Sequence, residues 1–109
     1  MLTRDIHSNK ETVMVALYDL KESIMLAKKD KDKLLCLIVG YGSKGKTHKI
    51  KTAVIEELNK YLESKFIKGY VFGSDIDIFN PSYQKFPYRD KIPDNDKRMR
   101  NPGAIYIAV

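Results

Sequence analysis

The chain has 109 residues and carries 20 Lys and Arg against 14 Asp and Glu, which gives a formal net charge of +6. This length is typical of one domain, so we predict a single domain spanning residues 1–109. The positive charge favours polyanionic partners, of which nucleic acid is the commonest, although a basic surface with no such partner is the alternative. Cys36 is the single cysteine and lies in an apolar run, which excludes an intrachain disulfide and a cysteine-based metal site.

Hydropathy indicates no contact with a membrane. No apolar stretch approaches the length of a bilayer span, and the first residues, MLTRDIHS, contain no signal-like apolar region. We therefore expect a soluble, cytoplasmic protein.

The first half of the chain predicts strand, helix, strand. Residues 2–7 read as a short strand, and Ser8 with Glu11 forms a capping-box pattern that predicts the start of a helix. Apolar residues then recur at spacings of three and four, which is typical of a helix with one face on a sheet. They are Val13, Ala16, Leu17, Leu20, Ile24 and Ala27. Residues 34–39 are continuously apolar and predict a central strand covered on both faces.

The second half predicts a helix, two strands and a long connection. Helical spacing indicates a helix from residue 47 or 48 to 65, and strands are predicted at residues 69–72 and 103–109. Residues 73–101 contain three prolines and no clear period, so we expect a long irregular loop that is either functional or partly mobile.

This element order predicts a two-layer α/β sandwich. We expect a four-stranded mixed sheet with both long helices on one face, because successive right-handed crossovers that run the same way place their helices on the same side. The first two strands should be parallel neighbours.

The segment GYGSKGKT, residues 40–47, matches the P-loop pattern G-x-x-x-x-G-K-[ST]. A strand before it and a helix after it suit phosphate binding through helix N-terminal amides. Too few residues follow for the usual P-loop sheet, and no apolar strand ending in Asp is clearly placed to hold Mg²⁺. A small nucleotide-binding protein therefore stands as an alternative to a loop that binds another phosphate.

A second segment should meet this loop at the carboxyl ends of the parallel strands. Asp5 and His7 are two residues apart on the first strand, so their side chains leave the same face of the sheet. Open α/β sheets bind ligands at such an edge. A carboxylate and an imidazole beside a phosphate-binding loop are suited to proton transfer in phosphodiester cleavage.

These two segments carry a resemblance to a known family. Asp5-Ile6-His7 resembles the L-D-x-H motif of the Smr (small MutS-related) domain, and residues 38–54, IVGYGSKGKTHKIKTAV, resemble its T-G-x-G or H-G-x-G motif and the following helix. The resemblance covers essentially the whole chain and implies a βαβαββ fold similar to the C-terminal domain of a bacterial translation initiation factor. It also implies nucleic-acid binding and, in several members, DNA-nicking or RNA-cleaving endonuclease activity.

Carried over from the resemblance, the functional positions are Asp5, His7, Gly40 and Gly42. The chain departs from the family pattern at Arg4, Ser8, Val39 and Tyr41. Val39 stands where the family motif usually has a polar Thr or His, a departure that counts against cleavage more than against binding. Tyr41 can still stack on a base or sugar.

Basic residues surround the glycine segment. We predict a nucleic-acid interface formed by Gly40, Tyr41, Gly42, Ser43, Lys44, Gly45, Lys46, His48, Lys49, Lys51, Arg98 and Arg100. The long connection adds aromatic residues, which are suited either to stacking on unpaired bases or to anchoring the segment on the sheet. They are Phe79, Tyr83, Phe86 and Tyr88.

Acidic residues offer a candidate metal site. If the third strand is parallel to the first, Asp75 and Asp77 approach Asp5 and could together hold Mg²⁺ or Mn²⁺ through oxygen ligands. Acidic residues at strand ends also serve turns, which is the alternative role. DNA and RNA are the expected partners, and a non-catalytic module that binds an acidic protein is the remaining alternative.

Overall fold

The computed structural model describes residues 1–6, 12–40 and 45–109, with the side chains of residues 45–47 outside the description. Its elements in chain order are β1 (Leu2–Asp5), α1 (Val13–Lys29), β2 (Leu34–Ile38), α2 (Gly45–Glu63), β3 (Gly69–Phe72), α3 (Pro81–Lys85), α4 (Asp94–Met99) and β4 (Ala104–Ala108). Short 3₁₀ turns occupy Gly73–Asp75 and Arg89–Lys91. Within the described residues, no helix is both long and apolar enough to span a bilayer.

The four strands form one mixed sheet in the order β1-β2-β4-β3. β1 and β2 are parallel, whereas β4 is antiparallel to both β2 and β3. β3 therefore runs in the same direction as β1 and β2. The predicted four-stranded mixed sheet and the parallel pairing of the first two strands are confirmed.

The two long helices cover one face of the sheet, as predicted. Ala16, Leu20 and Ile24 of α1 and Val54 and Leu58 of α2 are all buried in one core cluster with the inward residues of β2 and β4. The apolar positions predicted from helical spacing are therefore the ones that pack in this core.

Helix α1 begins later than the capping-box prediction. Residues 8–11 lie outside the described part of the chain, but α1 starts at Val13 and its N-cap is Thr12, whose Oγ1 accepts a hydrogen bond from the Val15 amide at 3.3 Å. Thr12 directly precedes the first residue of the apolar stripe and provides an N-terminal cap of the usual kind. The predicted helix start at Ser8 is therefore wrong.

The opposite face of the sheet is covered by residues 73–101, which form α3, α4 and the 3₁₀ turns. Ile76, Tyr83, Phe86 and Ile92 from this segment pack with Cys36 and neighbouring strand residues in a second core cluster. The prediction of a long irregular loop is wrong, because the segment folds into short helices and turns. The sequence did not reveal them, since the buried residues are irregularly spaced and show no helical or strand period. Asn80 caps α3 through its side-chain oxygen.

A partly buried hydrogen bond ties α4 to the sheet. The Tyr106 hydroxyl donates a hydrogen bond to Asp96 Oδ2 at 2.6 Å, and Tyr106 itself is 1% exposed. Burial, followed by the hydrogen bond to Asp96, raises the pKa of Tyr106 well above its usual value. Burial also raises the pKa of the neighbouring Cys36 thiol to about 11, so this cysteine is an inert core residue.

Candidate nucleic-acid interface

The carboxyl ends of β1 and β2 lie side by side. Asp5 is the register partner of Ile38, and the Ile6 amide donates to the Ile38 carbonyl at 2.9 Å. Leu2 and Ile6 contribute to the core under the two long helices, so Asp5 leaves the opposite face of β1, where its side chain is exposed. His7, its predicted catalytic partner, lies outside the described residues.

The glycine segment leaves the sheet at a close backbone crossing. Gly40 has φ 78°, a left-handed conformation that favours glycine. The Val39 amide donates to the Gly103 carbonyl at 2.8 Å, and a Cβ at Gly103 would lie 3.1 Å from the Gly40 carbonyl carbon. Val39 is fully buried, which gives a packing reason for an apolar residue at this departure from the Smr pattern. Residues 41–44 lie outside the described part of the chain.

Helix α2 begins at Gly45, so Lys46, Thr47 and His48 form its first turn without an acidic residue. His48 and Lys49 are exposed. The first amides of a helix have no intrahelical acceptor, and the helix dipole adds positive potential there. Each cation in this position lowers the stability of the helix by roughly 0.3–1 kcal/mol at low ionic strength, unless a bound anion offsets its charge. The local sequence therefore concentrates positive charge where the backbone is already positive.

Lys51 differs from the exposed His48 and Lys49 because it is half-buried and its amine contacts the turn before β4. Lys51 Nζ lies 3.4 Å from the Pro102 carbonyl oxygen and 5.7 Å from the centre of the Phe72 ring. This contact joins the second turn of α2 to the turn that precedes β4 and to the end of β3. Lys51 thus supports the edge of the sheet as well as adding charge to it.

The two predicted arginines lie on or after α4. Arg98 is exposed, and Arg100 ends the helix with φ 47° and donates to Asp77 Oδ2 at 3.2 Å. Asp77 also accepts a hydrogen bond from the Phe79 amide at 2.9 Å, which is the turn-forming role expected of an aspartate after a strand.

The three aspartates do not form one metal site. β2 and β4 separate β1 from β3, which places Asp5 about 14 Å from the carboxyl end of β3, three strand spacings away. Asp75 and Asp77 follow β3, so they cannot share an ion with Asp5. Among the described residues, no group of three or more His, Cys, Asp or Glu side chains is arranged to hold a metal ion.

The aromatic residues of the 73–101 segment divide between the two predicted roles. Tyr83 and Phe86 are buried and anchor the segment on the sheet. Tyr88 is half-buried, and its hydroxyl accepts a hydrogen bond from Lys68 Nζ at 2.8 Å. Phe79 is 82% exposed, so its ring is the one of these four that is open for stacking on a base.

Comparisons of the chain with protein-family models, curated proteins and solved structures found no match. The likeness to the Smr domain therefore stays a prediction from the two motifs.

The structure places Asp5 and Gly40 at the carboxyl ends of the parallel pair β1 and β2, whereas α2 packs on the face of the sheet opposite the one that Asp5 leaves. It also adds a contribution that the sequence reasoning missed. Because β4 lies between β2 and β3, the turn before it, residues 101–103, packs against Gly40 and Lys51. The central position of β4 could have been inferred from its sequence, because a continuous apolar run favours a central strand. All five residues of β4 are buried.

Proposed function

We propose that the chain is a cytoplasmic, Smr-like domain that binds the sugar–phosphate backbone of DNA or RNA at the carboxyl edge of its sheet. The interface comprises Asp5, the glycine segment and the start of α2, with Arg98 and Arg100 at its margin. The observation that carries the proposal is the pairing of Asp5 with Ile38, two residues before Gly40, at the end of the sheet from which the chain continues into a helix whose first turn is basic.

The chemistry of this edge suits a polyanion better than a neutral ligand. Helix N-terminal amides and the dipole favour phosphate oxygens, and the lysines of the first turns add long, adaptable donors. Neutralising phosphates with lysine releases counterions, so affinity should fall steeply with salt. Phe79 offers stacking on an unpaired base, which favours substrates with single-stranded character.

The proposal extends to cleavage through Asp5 and His7. A carboxylate and an imidazole are the groups that enzymes use to move protons during phosphodiester hydrolysis, and Mg²⁺ or Mn²⁺ could assist by binding substrate phosphate together with Asp5. Lys46 and Lys49 would hold the backbone while these groups act. Binding without cleavage is the corresponding non-enzymatic function of the same surface.

A plasmid-nicking and RNA-cleavage assay tests the two parts separately. The parent chain and the Asp5→Asn/His7→Ala variant are compared with and without Mg²⁺ or Mn²⁺, while binding is followed by fluorescence anisotropy. We expect nicked or cleaved product from the parent and none from the variant, with binding retained. Product from both proteins would reject Asp5 and His7 as the catalytic pair, and product from neither, with salt-sensitive binding, would leave a binding domain.

Nucleotide binding is the second candidate. Helix α2 begins at the second conserved position of the P-loop pattern, Gly45, which puts Lys46 and Thr47 in the first turn as that pattern requires. Asp5, at the end of the neighbouring parallel strand, would supply a carboxylate for Mg²⁺ bound with the nucleotide. Saturable binding of ATP or GTP with Mg²⁺, abolished by Lys46→Ala, would favour this function over nucleic-acid binding.

A further inference from the structure

The outer face of α1 carries an apolar stripe that the fold leaves uncovered. Met14, Tyr18 and Met25 are 81%, 68% and 54% exposed, although methionine is usually buried and tyrosine is usually at least partly buried. On a helix these three side chains fall within about 40° of one another, opposite the stripe that faces the sheet. Tyr18 and Met25 line a shallow groove together with Lys21, Glu22, Leu26 and Lys29.

The spacing of this stripe is that of a helix–helix seam. Met14, Tyr18 and Met25 follow one another at intervals of four and seven, which keeps them on one line along the helix, as in the seam between two packed helices.

The charges beside the stripe indicate which partner fits. Lys21 and Glu22 lie on opposite sides of the line through Met14, Tyr18 and Met25. If a second copy of α1 packs in parallel about a two-fold axis, each Lys21 faces the Glu22 of the other copy, so both pairs are formed at once. Glu22 pairs with Arg4 at 3.8 Å, and such a solvent-exposed ion pair is weak enough to be exchanged for another.

We propose that the outer stripe of α1 is a homodimer interface, in which two copies of the chain pack their α1 helices in parallel with reciprocal Lys21–Glu22 pairs. The contact is independent of the nucleic-acid interface, since the stripe faces away from the sheet. With 17 residues, α1 is about 25 Å long, which places the contact among small interfaces. We therefore expect a dissociation constant on the order of 10–100 μM, as for weak or transient complexes.

Sedimentation velocity on the whole chain, from about 5 to about 500 μM, tests the proposal. The parent should shift from monomer to dimer across this range, whereas Tyr18→Glu and Met25→Glu should remain monomeric. Met99→Glu is the matched control, because Met99 is 66% exposed on α4, away from the stripe. It should behave like the parent, and circular dichroism should report an unchanged fold for every variant.

The charged pair gives a sharper test through complementation. Lys21→Glu places two carboxylates against each other and Glu22→Lys two amines, so each variant alone should dimerise at least about tenfold more weakly. An equimolar mixture of the two should form a heterodimer with the affinity of the parent, since every pair is again of opposite sign. A parent that stays monomeric throughout, a Met99→Glu variant that dissociates equally, or a mixture that stays monomeric would overturn the proposal.

Discussion

Replacement of Gly73 by alanine should displace the turn that supports the candidate interface. Gly73 is buried and follows β3 directly, where the chain passes the backbone of Asn101. A Cβ at this position would overlap the Asn101 carbonyl oxygen and would lie 3.0 Å from its carbon and 3.2 Å from the Asn101 nitrogen. Because these atoms belong to the backbone, no side-chain rotation can relieve the overlap.

The magnitude follows from comparison with two other glycines. At Gly103 the nearest atom to a new Cβ is the Gly40 carbonyl carbon at 3.1 Å, and at Gly69 it is Pro87 Cδ at 3.0 Å, a side-chain atom. Alanine gains about 0.4–1 kcal/mol by restricting the unfolded chain, whereas inserted atoms that force backbone shifts cost roughly 1–3 kcal/mol or more. We expect a net loss of at least about 2 kcal/mol for Gly73→Ala, about 1 kcal/mol for Gly103→Ala, and close to zero for Gly69→Ala.

Urea unfolding followed by circular dichroism measures these differences directly. The folded Gly73→Ala variant should also bind nucleic acid more weakly, because the displaced turn leads to Gly103, which packs on Gly40. An unfolding free energy for Gly73→Ala within about 0.5 kcal/mol of the parent, or a larger loss at Gly69 than at Gly73, would refute this reasoning.

Three further predictions concern buried and paired hydroxyl and thiol groups. Tyr106→Phe removes the 2.6 Å hydrogen bond to Asp96 and should lower the free energy of unfolding by about 1.5–3 kcal/mol; a loss below about 0.5 kcal/mol in urea would show that this contact does not hold α4. Cys36 ionises near its usual pKa of 9.0 when unfolded and about 11 when folded, so stability should fall as pH rises from 9 to 11. In Cys36→Val the free energy of unfolding should decrease less over this pH range, by up to about 3 kcal/mol. Equal pH dependence of parent and variant would contradict a raised pKa for Cys36. The hydrogen bond from Lys68, with nearby lysine charges, lowers the pKa of Tyr88; Lys68→Met should raise it in a carbon-13 NMR titration, and an unchanged midpoint would count against the contact.

The strands and the sheet edge were largely predictable from local pattern. The continuous apolar run at residues 34–39 indicated a strand covered on both faces, and both faces of β2 are indeed covered. Its parallel pairing with β1 then followed from the intervening helix, and this pairing is what joins Asp5 to the glycine segment.

The wrong predictions concern features that depend on contacts between residues far apart in the sequence rather than on local pattern. The position of β4 between β2 and β3 separates Asp5 from Asp75 and Asp77, which no property of those aspartates reveals. In residues 73–101, Tyr83 and Phe86 are buried by contact with the sheet, whereas Phe79 remains exposed. Their spacing does not distinguish the two environments, because these short turns have no common period.

Salt titration of two charge-matched variants tests most directly whether the start of α2 binds a nucleic-acid backbone. Lys46→Ala/Lys49→Ala removes two cations at the proposed interface. Lys60→Ala/Lys91→Ala removes the same charge elsewhere, since Lys60 lies at the far end of α2 and Lys91 lies near Tyr88.

Affinity for a single-stranded oligonucleotide and for a duplex is measured by anisotropy between about 50 and about 200 mM NaCl. For the Lys46/Lys49 variant we expect the plot of log affinity against log salt concentration to be less steep, its slope smaller in magnitude by about 2. Its affinity should also be lower than that of the parent at every salt concentration. The Lys60/Lys91 variant should keep the slope of the parent. Equal slopes for the two variants would contradict a localised interface at the start of α2 and would leave only the overall charge of the protein as the source of binding.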